Sequence, residues 1–288
     1  MCAVTALNQP FAWHLHLGWT LAVLAIAAGY LRATHHAGWG ATPRQRTQFF
    51  LALVLLLGSV AWPLGDLAAH WSLLALVLQR LLLTLAVPAL LGIGTPSPII
   101  ARLTRPSPVD AVLRIAAKPL PAIVAVTVVA VGTLTTGAVS IASRSDLARV
   151  VVQLLVLASG FVLWAPVLSA LPGARQLPAL GRGGYLIVQS IVPSFLCVVW
   201  IFARRPLYPS YIHRGTVLGM SPLLNQQLAG FLAKLSTIAV LWTVAFIIMR
   251  RAPELAGTED DPEPLLWSDV EREIERADRR ERREGGRG

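Results

Sequence analysis

The stretch WSLLALVLQRLLLTLAVPALLGI, residues 71–93, decides the fold. Its 23 residues hold one ionisable side chain, Arg80. A helix needs about 20 mostly apolar residues to cross roughly 30 Å of hydrocarbon. The run therefore reads as a membrane-spanning helix. Six further windows of the same kind lie around it, at 11–31, 48–68, 121–140, 148–170, 184–204 and 225–249. The expected fold is an all-α integral membrane protein, a bundle of seven transmembrane helices. Spans two and three are separated only by Ala69 and His70, which predicts a tight hairpin. The longest internal loop, Gly94 to Leu120, is predicted to carry a short interfacial helix.

Composition agrees with that reading. Of the 288 residues, 55% are hydrophobic and 14% charged, against about 25% charged in ordinary soluble domains. Disorder is excluded by the apolar content, and a disulfide scaffold by the presence of two cysteines, Cys2 and Cys197. A net charge of +10 suggests a polyanion partner until the charges are placed. Up to Arg251 there are 18 Lys or Arg against three acids, Asp66, Asp110 and Asp146. From Ala252 onward there are 7 Arg against 12 acids. The chain thus divides into a membrane domain, 1–251, and a charged tail, 252–288, expected in the cytoplasm. Nearly all the body's cations lie in loops or at span ends, where they set orientation and meet lipid phosphates. A nucleic-acid partner is not expected; the lipid bilayer is.

Loop Lys and Arg counts set orientation. The loops after spans one, three, five and seven carry 11, and the opposite set carries 5. The N-terminus is expected outside and the C-terminus in the cytoplasm of a bacterial plasma membrane. Residues 1–10 contain no Lys or Arg, so the first span is read as retained rather than as a cleaved signal.

Ionisable groups inside hydrocarbon are costly and mark function by default. Arg80 lies nine residues after Trp71, and Lys234 nine after Asn225. At about 1.5 Å per residue, both sit roughly 13 Å below the outer face. Both are expected to face the bundle interior or a wet cavity, with Asp66 the one acid within reach. Arg80, Thr84 and Pro88 fall at i, i+4 and i+8. Pro88 lacks an N–H, so the Thr84 carbonyl loses its helical donor, and Arg80 is expected to extend toward it. Gln227, Gly230 and Lys234 share a face of span seven, next to Asn225 and Gln226. Two readings stand side by side: a polar cavity open to the outside, or cations that fix packing by bonding backbone carbonyls.

Metal-ligand types also gather at the predicted outer side: His14, His16, Asp66, His70, Cys197, His213 and Met220. Imidazole with soft sulfur suits copper, especially Cu(I). No fixed ligand spacing accompanies them, and His14 and His16, two apart, point to different sides of a helix. No Walker loop, nucleophile elbow or HExxH is present, so a non-enzymatic role is expected.

Two runs carry a resemblance: LLALVLQRLLLTLAVPALLGIGTP at 73–96 and RPLYPSYIHRGTVLGMSPLLNQQLAGFLAKL at 205–235. With the WPL at Trp62–Leu64, they place Gln79, Pro88, Gly92, Pro96, Tyr208, Gln226, Gln227 and Gly230 in the order found in CtaG-type cytochrome c oxidase assembly factors, which the chain resembles. The resemblance implies a bacterial seven-helix membrane protein that helps to build terminal oxidases through copper delivery. Its partners would be cytochrome c oxidase subunits or other assembly factors. Family members read His-x-x-Gln-His in span three, where this chain has Leu76, Gln79 and Arg80. Family members also commonly carry an acid at the position of Asn225. A cation at a histidine position repels copper ions rather than binding them. The alternative to an assembly role is a transporter or an anion- or lipid-binding protein built on Arg80 and Lys234.

Overall fold

The computed structural model describes residues 16–36, 40–104, 106–168, 177–212 and 219–251, and among these every regular element is helical. Six helices are long and apolar enough to cross a membrane: Leu17–His35, Pro43–His70, Leu73–Gly94, Asp146–Trp164, Ala179–Phe202 and Pro222–Arg250. They match predicted spans one, two, three, five, six and seven. The fourth predicted span, 121–140, is not one straight helix. Pro119–Thr133 ends, and Thr136–Arg144 leaves it at 64°. Pro119–Thr133 has 15 residues, too few to cross roughly 30 Å alone. The loop expected to hold one short helix holds two, Ser97–Leu103 and Ser107–Ala116. The tail, 252–288, lies outside the described residues.

Local chemistry explains where the spans begin. Ser72, Ser145 and Ser221 each cap a helix N-terminus, their hydroxyls accepting from the N–H of Ala75, Ala148 and Leu224 at 3.2–3.3 Å. Serine offers orphan N–H groups an acceptor that no apolar side chain has. These three spans start at the same end of the bundle, the end that carries the hairpin turn. Another long helix, starting at Pro43, has a reciprocal cap: Thr42 Oγ1 accepts from Gln45 N–H at 3.2 Å, and Gln45 Oε1 accepts from Thr42 N–H at 3.0 Å.

Packing in lipid depends on close contact, because hydrocarbon is as apolar as leucine. Span three is the hub. Its first half lies on span seven, its second half on span two, and its middle on span five. Two glycines allow this. A Cβ on Gly94 would lie 2.6 Å from the Phe49 nitrogen of span two. One on Gly160 would lie 2.6 Å from Pro88 Cγ and 2.8 Å from the Thr84 carbonyl oxygen. Leu21, Leu24, Val124, Val128 and Phe246 point outward and are exposed. That is the expected arrangement for surfaces that meet acyl chains.

Candidate functional site

Three helix irregularities converge in the middle of the bundle. Span three is wound as a π-helix over Leu82–Ala86, span six passes through a 3₁₀ turn at Val192–Ser194, and span four breaks after Thr133. Irregular backbone at membrane depth persists only where protein or a cavity supplies partners, and π turns gather at functional places. Between them lies a cavity of about 120 Å³. Its walls are mostly aliphatic, with polar side chains from Arg80, Thr84, Ser159, Gln189, Ser194 and Thr237.

Each irregularity has its partner. Thr133 ends its helix, so its carbonyl and that of Leu134 have no helical donor. Arg80 supplies the first: Nη2 donates to Thr133 O at 2.9 Å, and Nη1 donates to Thr133 Oγ1. Tyr208 supplies the second, its hydroxyl donating to Leu134 O at 2.6 Å. Burial pushes the Tyr208 phenol up to about 12, so it keeps its proton at physiological pH. A cation at a helix C-terminus also opposes the negative end of the helix dipole. Arg80 is buried, 9% exposed. The Thr84 carbonyl freed by Pro88 is met not by Arg80, as the sequence led one to expect, but by Trp164, whose Nε1–H donates at 3.2 Å. Side chains on a helix tilt toward its N-terminus, so Arg80 leans away from that carbonyl, and Pro88 packs against Gly160.

The expected Asp66 partnership is also corrected. Asp66 Oδ1 lies 3.3 Å from His16 Nε2, at the hairpin end, while Arg80 makes no ion pair among the described residues. Lys234 departs further from expectation. It is half-buried and does not line the cavity; its neighbours Ala233 and Thr237 do.

Gln189 went unnoticed in the sequence. It is 1% exposed, lines the cavity, and neither its Oε1 nor its Nε2 finds a partner. Its depth in the apolar run 184–204 is the same signal that singled out Arg80. Thr133 and Trp164 gave no comparable signal, because a threonine and an indole are ordinary in membrane helices.

Residues 23–253 match the family described as cytochrome c oxidase caa3 assembly factor, Caa3_CtaG. The chain belongs to this family. No curated relative and no solved structure matches it.

The Caa3_CtaG motif residues are structural ties. Gln79 Nε2 donates to Ser59 O at 2.8 Å, a carbonyl left over where Pro63 brings no N–H. Asn225 bonds both Ser72 and Leu74 at the start of span three, with Leu74 N–H donating to Oδ1 at 3.0 Å and Nδ2 donating to Ser72 Oγ at 2.9 Å. Gln226 Oε1 accepts from Leu207 N–H at 2.7 Å, and Gln227 Nε2 donates to Ala203 O at 3.3 Å. Three consecutive side chains of span seven thus hold three different stretches of backbone. Tyr211 adds a fourth tie, to Ala68 O at 2.7 Å. Gly230 admits span six, where a Cβ would lie 2.9 Å from the Cys197 carbonyl oxygen. Gly92 faces Leu168, and Pro96 precedes the helix Ser97–Leu103.

The described residues among those expected to hold copper are not gathered into one site. Among the described residues there is no group of three or more His, Cys, Asp or Glu. His16 sits with Asp66, and His70 Nε2 lies 3.3 Å from the Arg149 guanidinium. Cys197 is buried on the wall of the central cavity that Arg80 also lines. Met220 is beside Tyr208, Tyr211 and Asn225 in a small crevice of about 10 Å³. His14 and His213 lie outside the described residues. The positions matching the family's span-three histidines hold an aliphatic side chain and a cation already committed to Thr133. Arg149, also cationic, lies against the histidine nearest to the hairpin turn.

Proposed function

We propose that this protein acts in cytochrome c oxidase assembly as a seven-span membrane scaffold, and not as a carrier with a copper ion of its own. The observation that carries this reading is Arg80. At a position where the resemblance places histidine, a buried guanidinium caps the broken fourth span. Copper ions need soft or imidazole donors and are repelled by a fixed positive charge. No covalent step is assigned to the chain: Gln79, Gln226, Gln227 and the two terminal nitrogens of Arg80 hold backbone carbonyls and amides or the Thr133 hydroxyl.

The broken fourth span counts as one crossing, because the hairpin turn, the starts of spans five and seven, and Tyr211 share one end of the bundle. Arginine-rich loops at the other end support an N-terminus outside, and a C-terminus inside, the plasma membrane of a bacterium. Oxidase subunits or other assembly factors are the proposed partners, met through lipid-embedded helix faces.

Loading the purified chain with Cu(I) under reducing conditions tests the copper half of the proposal. The expected result is well under one copper per chain, unaffected by His14→Ala, His16→Ala or His70→Ala. A stoichiometric ion lost in those variants would overturn it. Capture of newly made oxidase subunits with the tagged full chain tests the other half; their absence, under conditions that preserve the assembling oxidase, would refute a scaffold.

A further inference from the structure

We propose that the central cavity binds the carboxylate head of an apolar monoanion of the fatty-acid class, with Arg80 and Gln189 as its polar contacts. The site stands independently of the assembly role.

The cavity holds unmet demand of one kind. Arg80 Nη1 and Nη2 are used on Thr133, but its Nε–H, also buried, has no acceptor. Gln189 has neither a donor nor an acceptor partner. A buried polar group left unpaired costs about 1–3 kcal/mol, and native structures keep such groups mainly where a ligand, a water or a chemical role explains them. Both side chains are more than nine-tenths buried, and both face the same space.

Charge narrows the ligand. The guanidinium is a full positive charge in the membrane interior without a carboxylate partner among the described residues. A water satisfies the Nε–H geometrically but leaves the charge uncompensated, which is the costly state. A metal cation is repelled. A dianionic phosphate brings more charge than one guanidinium cancels, into walls that are mostly hydrocarbon. A carboxylate fits on each count: one negative charge, and two acceptor oxygens for two unused donors, Arg80 Nε–H and Gln189 Nε2–H.

Size and access fit an amphiphile. A single water needs only about 10–15 Å³, so about 120 Å³ holds a head group, part of a chain, and a water donating to Gln189 Oε1. Val77, Leu81, Leu85, Val126 and Leu163 make walls suited to methylene groups. Val131, also on the wall beside the break in span four, is exposed, giving an apolar chain a route in from the surrounding hydrocarbon.

The test uses the full-length chain in phosphatidylcholine nanodiscs and isotope-labelled dodecanoate. Saturable binding of one dodecanoate per chain is expected. Dodecanol should not displace it, because the uncharged head offers nothing to Arg80. Inorganic phosphate and added phosphatidylglycerol should not displace it either. Gln189→Leu should weaken binding about tenfold without lowering the melting temperature of the unliganded protein, since leucine removes an unpaired buried amide. Lys234→Met should bind as the parent does. Absence of saturable binding, equal competition by dodecanol, or full affinity in Gln189→Leu would overturn the proposal. Displacement by phosphatidylglycerol or phosphate would overturn the carboxylate and assign the site to a phosphate anion.

Discussion

Arg80 and Lys234 stand at the same depth, each nine residues from the start of its predicted span, and their fates differ. Arg80 is 9% exposed and bonded twice to the residue that ends the first half of span four. Lys234 is half-buried and lies off the cavity wall. Depth sets the cost of a charge in hydrocarbon, but the helix face decides how that cost is met. Arg80 looks at a helix end with orphan carbonyls. Lys234 stays half-buried on a long aliphatic stem, a form in which a lysine covers apolar surface with its methylenes. A planar guanidinium with several donors suits the first task, and a long aliphatic stem suits the second.

That contrast can be broken by substitution. The largest effect is expected for Arg80→Leu, which leaves the carbonyl and hydroxyl of Thr133 without their donor. A loss of about 3 kcal/mol or failure to accumulate is expected in reversible denaturation and expression assays. An Arg80→Leu variant as stable as the parent would remove Arg80 from the architecture. Gly160→Ala comes next. Its new methyl meets Pro88 and the Thr84 carbonyl below contact distance, so about 2 kcal/mol of overpacking is expected. Gly132→Ala is its control, since nothing lies within 4 Å of that position. Trp164→Phe keeps an aromatic side chain but loses the N–H on Thr84 O and part of the buried indole volume, and should cost about 1–2 kcal/mol. Thermal unfolding in detergent would rank these two. Lys234→Met should change stability by no more than about 0.5 kcal/mol. A fall comparable to that of Arg80→Leu would show that the two cations share a role after all.

Much of the scaffold was legible in the chain alone. Six of the seven predicted spans coincide with long apolar helices, because the length of an apolar run and the thickness of a bilayer are fixed quantities. The loss of a helical donor at the Thr84 carbonyl was also readable, since Pro88 acts on the backbone beside it. The fourth span was not. Its 20-residue window is mostly apolar and was read as one helix, although Thr135 caps a new helix there, its Oγ1 accepting from the Ala138 N–H at 3.3 Å. What makes the break tolerable is Arg80, 53 residues earlier, and Tyr208, 74 residues later.

The candidate site shows the same division. Arg80 and Thr84 were found by depth and spacing, and both line the cavity. Asp66 was read as the one acid within reach of Arg80 and Lys234, yet in space it sits with His16. Of the metal-ligand types placed at the predicted outer side, His16, Asp66 and His70 lie at the hairpin end with Arg149, while Cys197 lies on the cavity wall. Asn225, Gln226 and Gln227 were recognised as a motif, and only the packed structure revealed that each ties a different segment.

By itself, then, the sequence determined that this is a multi-pass helical membrane protein and where most of its spans begin and end. Hydrophobic length, helix capping and charge count are local properties summed along the chain. The tertiary structure decided which polar groups meet: that Arg80 caps a broken helix, that Trp164 replaces it at Thr84, and that Gln189 is left unpaired in a cavity. Those outcomes depend on which helix faces touch, and a buried donor in hydrocarbon takes the nearest orphan carbonyl in space, however far away in sequence.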